Sequence, residues 1–324
     1  MENTINRNRQ SGIGTVLNWS RDNTSVLLLV FMILLGTALT DGFLTIDNFI
    51  NLFRRVSVNG ILAVGFSLVL LVDGFDLSLG GTLSVCAVLL LGLQHSIGMP
   101  LAMVAAILTG AAFGALNGLL MKITRGGSGE AFLITLGTQL IGFSVALTYT
   151  KGYDLVGLND EWYAQIGQGT FMGIPVAALI WFVIMIFTQI MLKKTAWGRS
   201  LLMTGGNKKA AYLSGIDVNK IKFIAFTLAG ITAAVGAVIL TSRTTAASPR
   251  SGVDADFDAA IAAIIGGNSV EGGKGGMVQV FIGVTIYGLI TNILNLLGVD
   301  SVVQYIVKGG ILVLAIALDK LKRR

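Results

Sequence analysis

One cysteine and one histidine stand in 324 residues. A single thiol, Cys86, excludes an internal disulfide and any thiolate metal cluster, and a lone imidazole, His95, excludes a multi-histidine metal site. Cys86 lies among Leu, Val and Ala and reads as a small buried apolar residue. Proline is scarce, with three copies, so little in the chain breaks a long helix. Charge is scarce too. Asp, Glu, Lys and Arg make up 12% of the residues, about half the share in an ordinary soluble domain. A soluble chain with so few charged side chains could not cover its own surface. That excludes a soluble enzyme, and 54% hydrophobic residues exclude a disordered chain.

What remains is an apolar chain of mean hydropathy +0.79. Its 42 glycines let helices approach closely where no water drives them together. The fold class expected is all-α, a polytopic membrane protein. A bilayer core of about 30 Å takes about 20 apolar residues per helix. Apolar runs fall at about 26–43, 58–72, 80–93, 100–121, 131–150, 174–192, 223–241, 257–265, 277–297 and 301–318. Those within 58–93 and at 257–265 are short for a full crossing. Such glycine-interrupted segments are tolerated at membrane depth where protein covers them or where they line a cavity. About ten transmembrane helices, some broken, are expected.

The net charge of +6 sits in short segments between apolar runs, so no nucleic-acid partner is expected. Lys122 and Arg125 flank one connection. Another carries Lys193, Lys194, Arg199, Lys208, Lys209, Lys220 and Lys222 against Asp217 alone, and the tail holds Lys320, Lys322, Arg323 and Arg324. The acid-bearing loops hold Asp154, Asp160 and Glu161, then Asp254, Asp256 and Asp258. The positive-inside rule puts the basic loops and both termini in the cytoplasm. The expected division is a cytoplasmic N-terminal segment (1–24), a transmembrane domain (25–319) with a cytoplasmic loop at about 193–222, and a cytoplasmic tail (320–324). Arg7, Arg9 and Arg21 precede a first apolar run too late and too long for a signal peptide, so that helix reads as retained. The order helix, glycine-rich interruption, helix, helix occurs at about 58–121 and again at 257–318, with interruptions at 73–81 and 266–276 and both copies running in the same direction.

Three segments invite chemistry. In the first, Asp73, Gly74, Asp76, Ser78 and Gly80 fall within eight residues. A carboxylate at a helix centre costs roughly 2.5–3.5 kcal/mol on insertion scales, so the helix should break here. Asp76 and Ser78 then either cap the next helix or touch a transported solute. The second is the basic loop, with Gly198, Arg199, Gly205, Gly206, Asn207, Ala210, Ala211, Ser214 and Gly215. Asn207 is a good helix start and Gly215 a good stop, which predicts a short helix over 208–213. Ala210 and Ala211 then offer a flat contact surface, or the helix is a solvated connector. The third is Gly266, Gly267, Asn268, Gly272, Gly273, Lys274 and Gly275. A Walker phosphate loop needs Gly at 268 and Ser or Thr at 275. Asn268 and Gly275 fail both requirements, so no nucleotide is expected on this chain. Catalytic residues, metal ligands and cofactors are all expected to be absent. Gln139, Asn292, Asn295 and Gln304 either line a path for a neutral polyol or bond neighbouring helices.

In this order and spacing the segments make the chain resemble the sugar-type permease subunits of bacterial ATP-binding-cassette importers, the ribose/galactose/xylose permease family. The resemblance covers about residues 45–319. It rests on 74–80, similar to Gly-x-Asp-Leu-Ser-x-Gly, on Thr135-Leu136-Gly137, on the glycines, alanines and Asn207 of the basic loop, and on Asp258-Ala259-Ala260-Ile261-Ala262-Ala263. It continues through the third segment, with Ser269, to Leu297-Gly298-Val299. It implies a non-enzymatic inner-membrane permease for a small neutral sugar, a pentose or hexose. The implied partners are a second permease copy (identical or paralogous), ATPase subunits that hold the ATP, and an extracytoplasmic sugar-binding protein. It also implies that 207–215 is the element that couples to the ATPase. A nucleoside, a branched-chain amino acid or a signalling furanose stays open as the solute. An ion-coupled transporter stays open as the class, with Asp73, Asp76, Glu130 and Lys308 as its titratable groups. Three departures from the family pattern stand out: Asp73 replaces a common Gly, Glu130-Ala131 replaces Pro-Pro, and Glu271 replaces a small residue.

Overall fold

A computed structural model describes residues 24–158 and 160–321. Residues 1–23 and 322–324, which carry most of the expected N-terminal segment and tail, lie outside the described residues. The helices are α1 (Thr24–Leu39), α2 (Ile46–Leu71), α3 (Ser78–Ile97), α4 (Met99–Thr124), α5 (Ser128–Thr150), α6 (Glu161–Gln168), α7 (Val176–Lys194), α8 (Ala196–Gly206), α9 (Lys208–Leu213), α10 (Val218–Thr244), α11 (Ala255–Ile265), α12 (Met277–Leu296) and α13 (Ser301–Leu321). Four two-residue strands complete the described residues. β1 (Leu155–Val156) pairs antiparallel with β4 (Ala246–Ala247), and β2 (Thr170–Phe171) with β3 (Ile174–Pro175). Seven helices, α2, α3, α4, α5, α7, α10 and α12, are long and apolar enough to cross a membrane. The chain is an all-α polytopic membrane protein.

Two expectations are corrected. The span expected to be short at 58–72 is the second part of α2, which runs 26 residues from a Thr45 cap. Asp47, Asn48, Asn51, Arg54, Arg55 and Asn59 interrupt its hydropathy but not its helix, because the backbone bonds are internal to the helix. α3 is likewise a full 20 residues, which leaves α11, with 11, as the short one. The first interruption also ends earlier than expected. Helix resumes at Ser78, so Gly80 and Gly81 lie inside α3. They serve close packing there: a Cβ on Gly80 would overlap the Gly252 carbonyl, and one on Gly81 would press on the backbone of Gln139.

The tightest seam lies between α4 and α10. Gly110, Gly114 and Gly118 repeat every four residues and so share one helix face. A Cβ on Gly110 or Gly114 would strike the carbonyl of Gly230 or Phe226, and one on Gly118 would crowd the Phe223 backbone. Without a hydrophobic drive between helices in lipid, such backbone contact is what holds them. Elsewhere bulk fills the space. Fully buried Trp181 stacks on Phe182 and Phe281 at 5.1 and 5.8 Å between ring centroids. Buried Tyr163 of α6 donates its hydroxyl to the Val238 carbonyl at 2.8 Å and ties the 151–175 connection to α10.

Candidate functional site

The basic end of the bundle is built from α8, α9 and the two glycine-rich breaks. Thr195 caps α8 by accepting the Gly198 amide at 3.1 Å. Asn207 caps α9 by accepting the Ala210 amide at 2.9 Å, and Gly215 turns the chain away at φ +82°. At the end of α8, Gly205 meets both breaks at once. A Cβ there would overlap the Leu71 carbonyl, the last residue of α2, and would stand 2.6 Å from the Gly273 amide nitrogen. That amide donates to the same Leu71 carbonyl at 3.0 Å. The break after α2 and the break after α11 are therefore bonded to each other, with α8 lying on the joint.

Two lysines extend the joint. Buried Lys222 of α10 donates to the carbonyls of Asp73 and Gly126, each at 3.3 Å. Lys208 of α9 donates to Arg125 and Gly126 at 3.3 and 3.4 Å. These carbonyls follow the C-terminal ends of α2 and α4, where each helix carries about half a negative charge. The three departures from the family pattern gather here. Asp73 and Glu130 lie within electrostatic reach of Lys208 and Lys222, and Glu271 within reach of Asp73. Asp73 occupies a left-handed backbone conformation, φ 57°, which explains why glycine suits that position. Glu130 accepts the Gly127 amide at 2.8 Å and so starts α5 by capping, where a proline pair would start it by constraint.

The flat surface expected of Ala210 and Ala211 is corrected. Ala211 is buried, because the 100° step between residues turns it inward. The exposed residues of α9 include Ala210 together with Tyr212 and Leu213, whose side chains are 73% and 76% exposed. A search for small residues passes over these two large apolar side chains, which a short capped helix holds out.

The first break carries a buried polar chain. Thr138 of α5 donates to Asn117 of α4 at 2.8 Å, Asn117 to the Ser78 hydroxyl at 2.7 Å, and Ser78 to Asp76 at 2.6 Å. Asp76 also accepts the Ser78 amide at 2.9 Å and so satisfies the first turn of α3. The Thr135 hydroxyl receives the Leu77 amide at 3.0 Å and holds the break against α5. Gly74 bonds back to the Val69 carbonyl at 3.0 Å. In the second break, Asn268 donates to Ser67 at 2.9 Å and receives the Gly276 amide at 2.8 Å, and Gly275 packs on its side chain, while Gly266 and Gly267 lie against Gln279 of α12. The Ser269 amide reaches the Lys274 carbonyl at 3.0 Å.

The proposed lining residues separate. Gln139 is buried beside Gly81 in mid-bundle, far along the chain from the others. Asn292 exchanges amide bonds with Asn48 at 2.8 and 3.1 Å, and Gln304 donates to Asn295 at 2.9 Å. Asn292 and Asn295 border a cavity of about 120 Å³ at the end of the bundle opposite the basic loops. Arg55 and Asn59 of α2, Asp258 of α11, Tyr287 and Thr291 of α12 and Lys308 of α13 complete its polar wall. Asp256 and Asp258, expected in an aqueous loop, form the first turn of α11 instead, where a helix start favours acids. Asp256 is fully buried, with no hydrogen bond of normal geometry to either carboxylate oxygen. Among the described residues no group of three or more His, Cys, Asp or Glu is placed to hold a metal.

Crossing helices, two bonded breaks and a capped helix presented at the basic end define a multi-pass membrane permease. Residues 48–316 match the family described as the branched-chain amino acid transport system / permease component, and the chain belongs to that family. It is 38% identical over 296 residues to the ribose import permease protein of Bacillus subtilis (strain 168), covering 91% of each chain. It is 36% identical over 311 residues to the ribose import permease protein of Escherichia coli (strain K12), covering 94% of this chain and 95% of that one. With the D-allose transport system permease protein of the same strain it shares 33% over 307 residues, 94% and 93% of the two chains. No solved structure matches the chain. The protein is a transport permease component of the inner membrane and not an enzyme.

Proposed function

We propose that this permease is the membrane subunit of an ATP-binding-cassette importer and conducts a small neutral sugar, a pentose or hexose, into the cell. An extracytoplasmic binding protein delivers the sugar, a second permease copy completes the path, and separate ATPase subunits dock at α9 within the 193–222 loop. The crossing count is ten, with α1, α11 and α13 added to the seven long spans. The N-terminal segment (1–24) and the tail (320–324) lie in the cytoplasm.

The observation that carries this reading is the seat of Gly205 on the Leu71 carbonyl and the Gly273 amide. A displacement of the α8–α9 loop acts on both breaks through backbone atoms that have no slack. Work done on the loop by a partner can then shift the breaks between two arrangements, provided the partner binds those arrangements unequally. Relatives whose printed names specify ribose, allose and arabinose support a sugar as the solute.

The test is uptake of labelled ribose and allose into vesicles that hold the permease, its ATPase and its binding protein. Uptake should need all three and ATP. Uptake without the ATPase would refute the reading. The family description points to branched-chain amino acids as the second solute class. Leucine uptake in the same vesicles, without sugar uptake, would replace the first.

A further inference from the structure

The cavity opposite the coupling end holds a salt bridge. The Lys308 ammonium sits 3.1 and 3.2 Å from the two carboxylate oxygens of Asp258. It also lies 5.4 Å from the Tyr287 ring centroid and 5.7 Å from that of Tyr305. Lys308 is the eighth residue of α13, about 10 Å along its axis at 1.5 Å per residue. The pair is therefore inside the membrane-spanning bundle, where ionisable groups are costly and mark solute paths. Stability does not explain it, since a partly buried pair is about matched by apolar packing of the same volume.

The buried Tyr287 hydroxyl lies within hydrogen-bonding reach of Asp258 and Thr291 but holds neither at close geometry. Arg55 and Asn59 add donors from the facing side of the cavity. At about 30 Å³ per water, the cavity of about 120 Å³ has room for roughly four waters. The charged groups of the wall are Arg55 and Lys308 against Asp258.

Resting on the sugar-import reading above, we infer that Asp258, Lys308 and Tyr287 form a sugar-binding station in the extracytoplasmic half of the path. Its ligand is a neutral aldose. The Asp258 carboxylate accepts from one hydroxyl, the Lys308 ammonium donates to the adjacent one, and the Tyr287 hydroxyl turns from Asp258 to a third.

The test uses the assembled importer in vesicles with Cys86→Ser and Thr291→Cys, which places one thiol in the cavity wall. Ribose should slow labelling of that thiol by a small methanethiosulfonate several-fold, and leucine at equal concentration should not. In the otherwise natural sequence, Asp258→Asn should lower ribose imported per ATP hydrolysed about tenfold, the worth of a hydrogen bond to a charged group, and Tyr287→Phe about fivefold, the worth of one between neutral groups. ATP hydrolysis stimulated by the loaded binding protein should persist. Tyr287→Phe keeps the ring and its packing, so it reports even if Asp258→Asn fails to assemble. Labelling indifferent to ribose, or a natural yield per ATP in Tyr287→Phe, overturns the station while leaving sugar import intact. Protection by leucine, with leucine imported in place of ribose, overturns the sugar reading itself.

Discussion

Replacing Gly205 by alanine sets two effects against each other. Gly205 has ordinary helical backbone, so alanine fits locally and gains about 1 kcal/mol of helix propensity. Against this, its methyl group would overlap the Leu71 carbonyl and lie 2.6 Å from the Gly273 nitrogen. Neither is a side chain that can rotate away. Overpacking of this kind costs about 1–3 kcal/mol, and separating the breaks loses their mutual bond, worth about 1 kcal/mol. The contact should lose a net of about 1–3 kcal/mol, a fall of roughly tenfold or more in its population. Gly205→Ala should therefore import roughly tenfold less sugar per ATP hydrolysed, while the ATPase still co-purifies through α9. Gly206→Ala is the control, because its Cβ meets nothing nearer than the Gly273 Cα at 3.9 Å. Natural transport stoichiometry in Gly205→Ala, or equal damage from Gly206→Ala, would refute mechanical linkage at this joint.

Three further outcomes are expected. Tyr212→Glu with Leu213→Glu should abolish co-purification of the ATPase without affecting membrane insertion, since both side chains are exposed; normal co-purification removes α9 as the docking element. Lys222→Met leaves the Asp73 and Gly126 carbonyls without their cation and should lower unfolding free energy in detergent by about 2 kcal/mol, read from a denaturant titration. Asp73→Gly relieves a left-handed conformation worth about 1 kcal/mol and keeps the carbonyl that Lys222 holds, so the melting temperature should rise; a fall would mean that the Asp73 carboxylate stabilises the joint more than its backbone strains it.

Much of this architecture is legible along the chain. Apolar runs, caps and turn glycines are local features, so the helix at 208–213, with Asn207 before it and Gly215 after, follows from residues within a few positions of one another. The spacing of Gly110, Gly114 and Gly118 is equally local, and it was a readable sign of the α4–α10 seam. The length of α2 was not legible from hydropathy, because its polar residues gather in the half away from the basic loops, where α12 and the cavity receive them. The orientation of Ala211 needed the positions of α8 and α10.

Composition and periodicity suffice for a helical bundle in lipid, because both measure what each residue gains on leaving water, one residue at a time. Which distant residues meet is a different question, and only packing answers it. Gly205 beneath Leu71 and Gly273, Asp73 and Glu130 around two lysines, and Asp258 against Lys308 are pairings across tens to hundreds of positions. Each depends on helices approaching to backbone contact, and that closeness comes from the sum of many small steric fits that no single segment encodes.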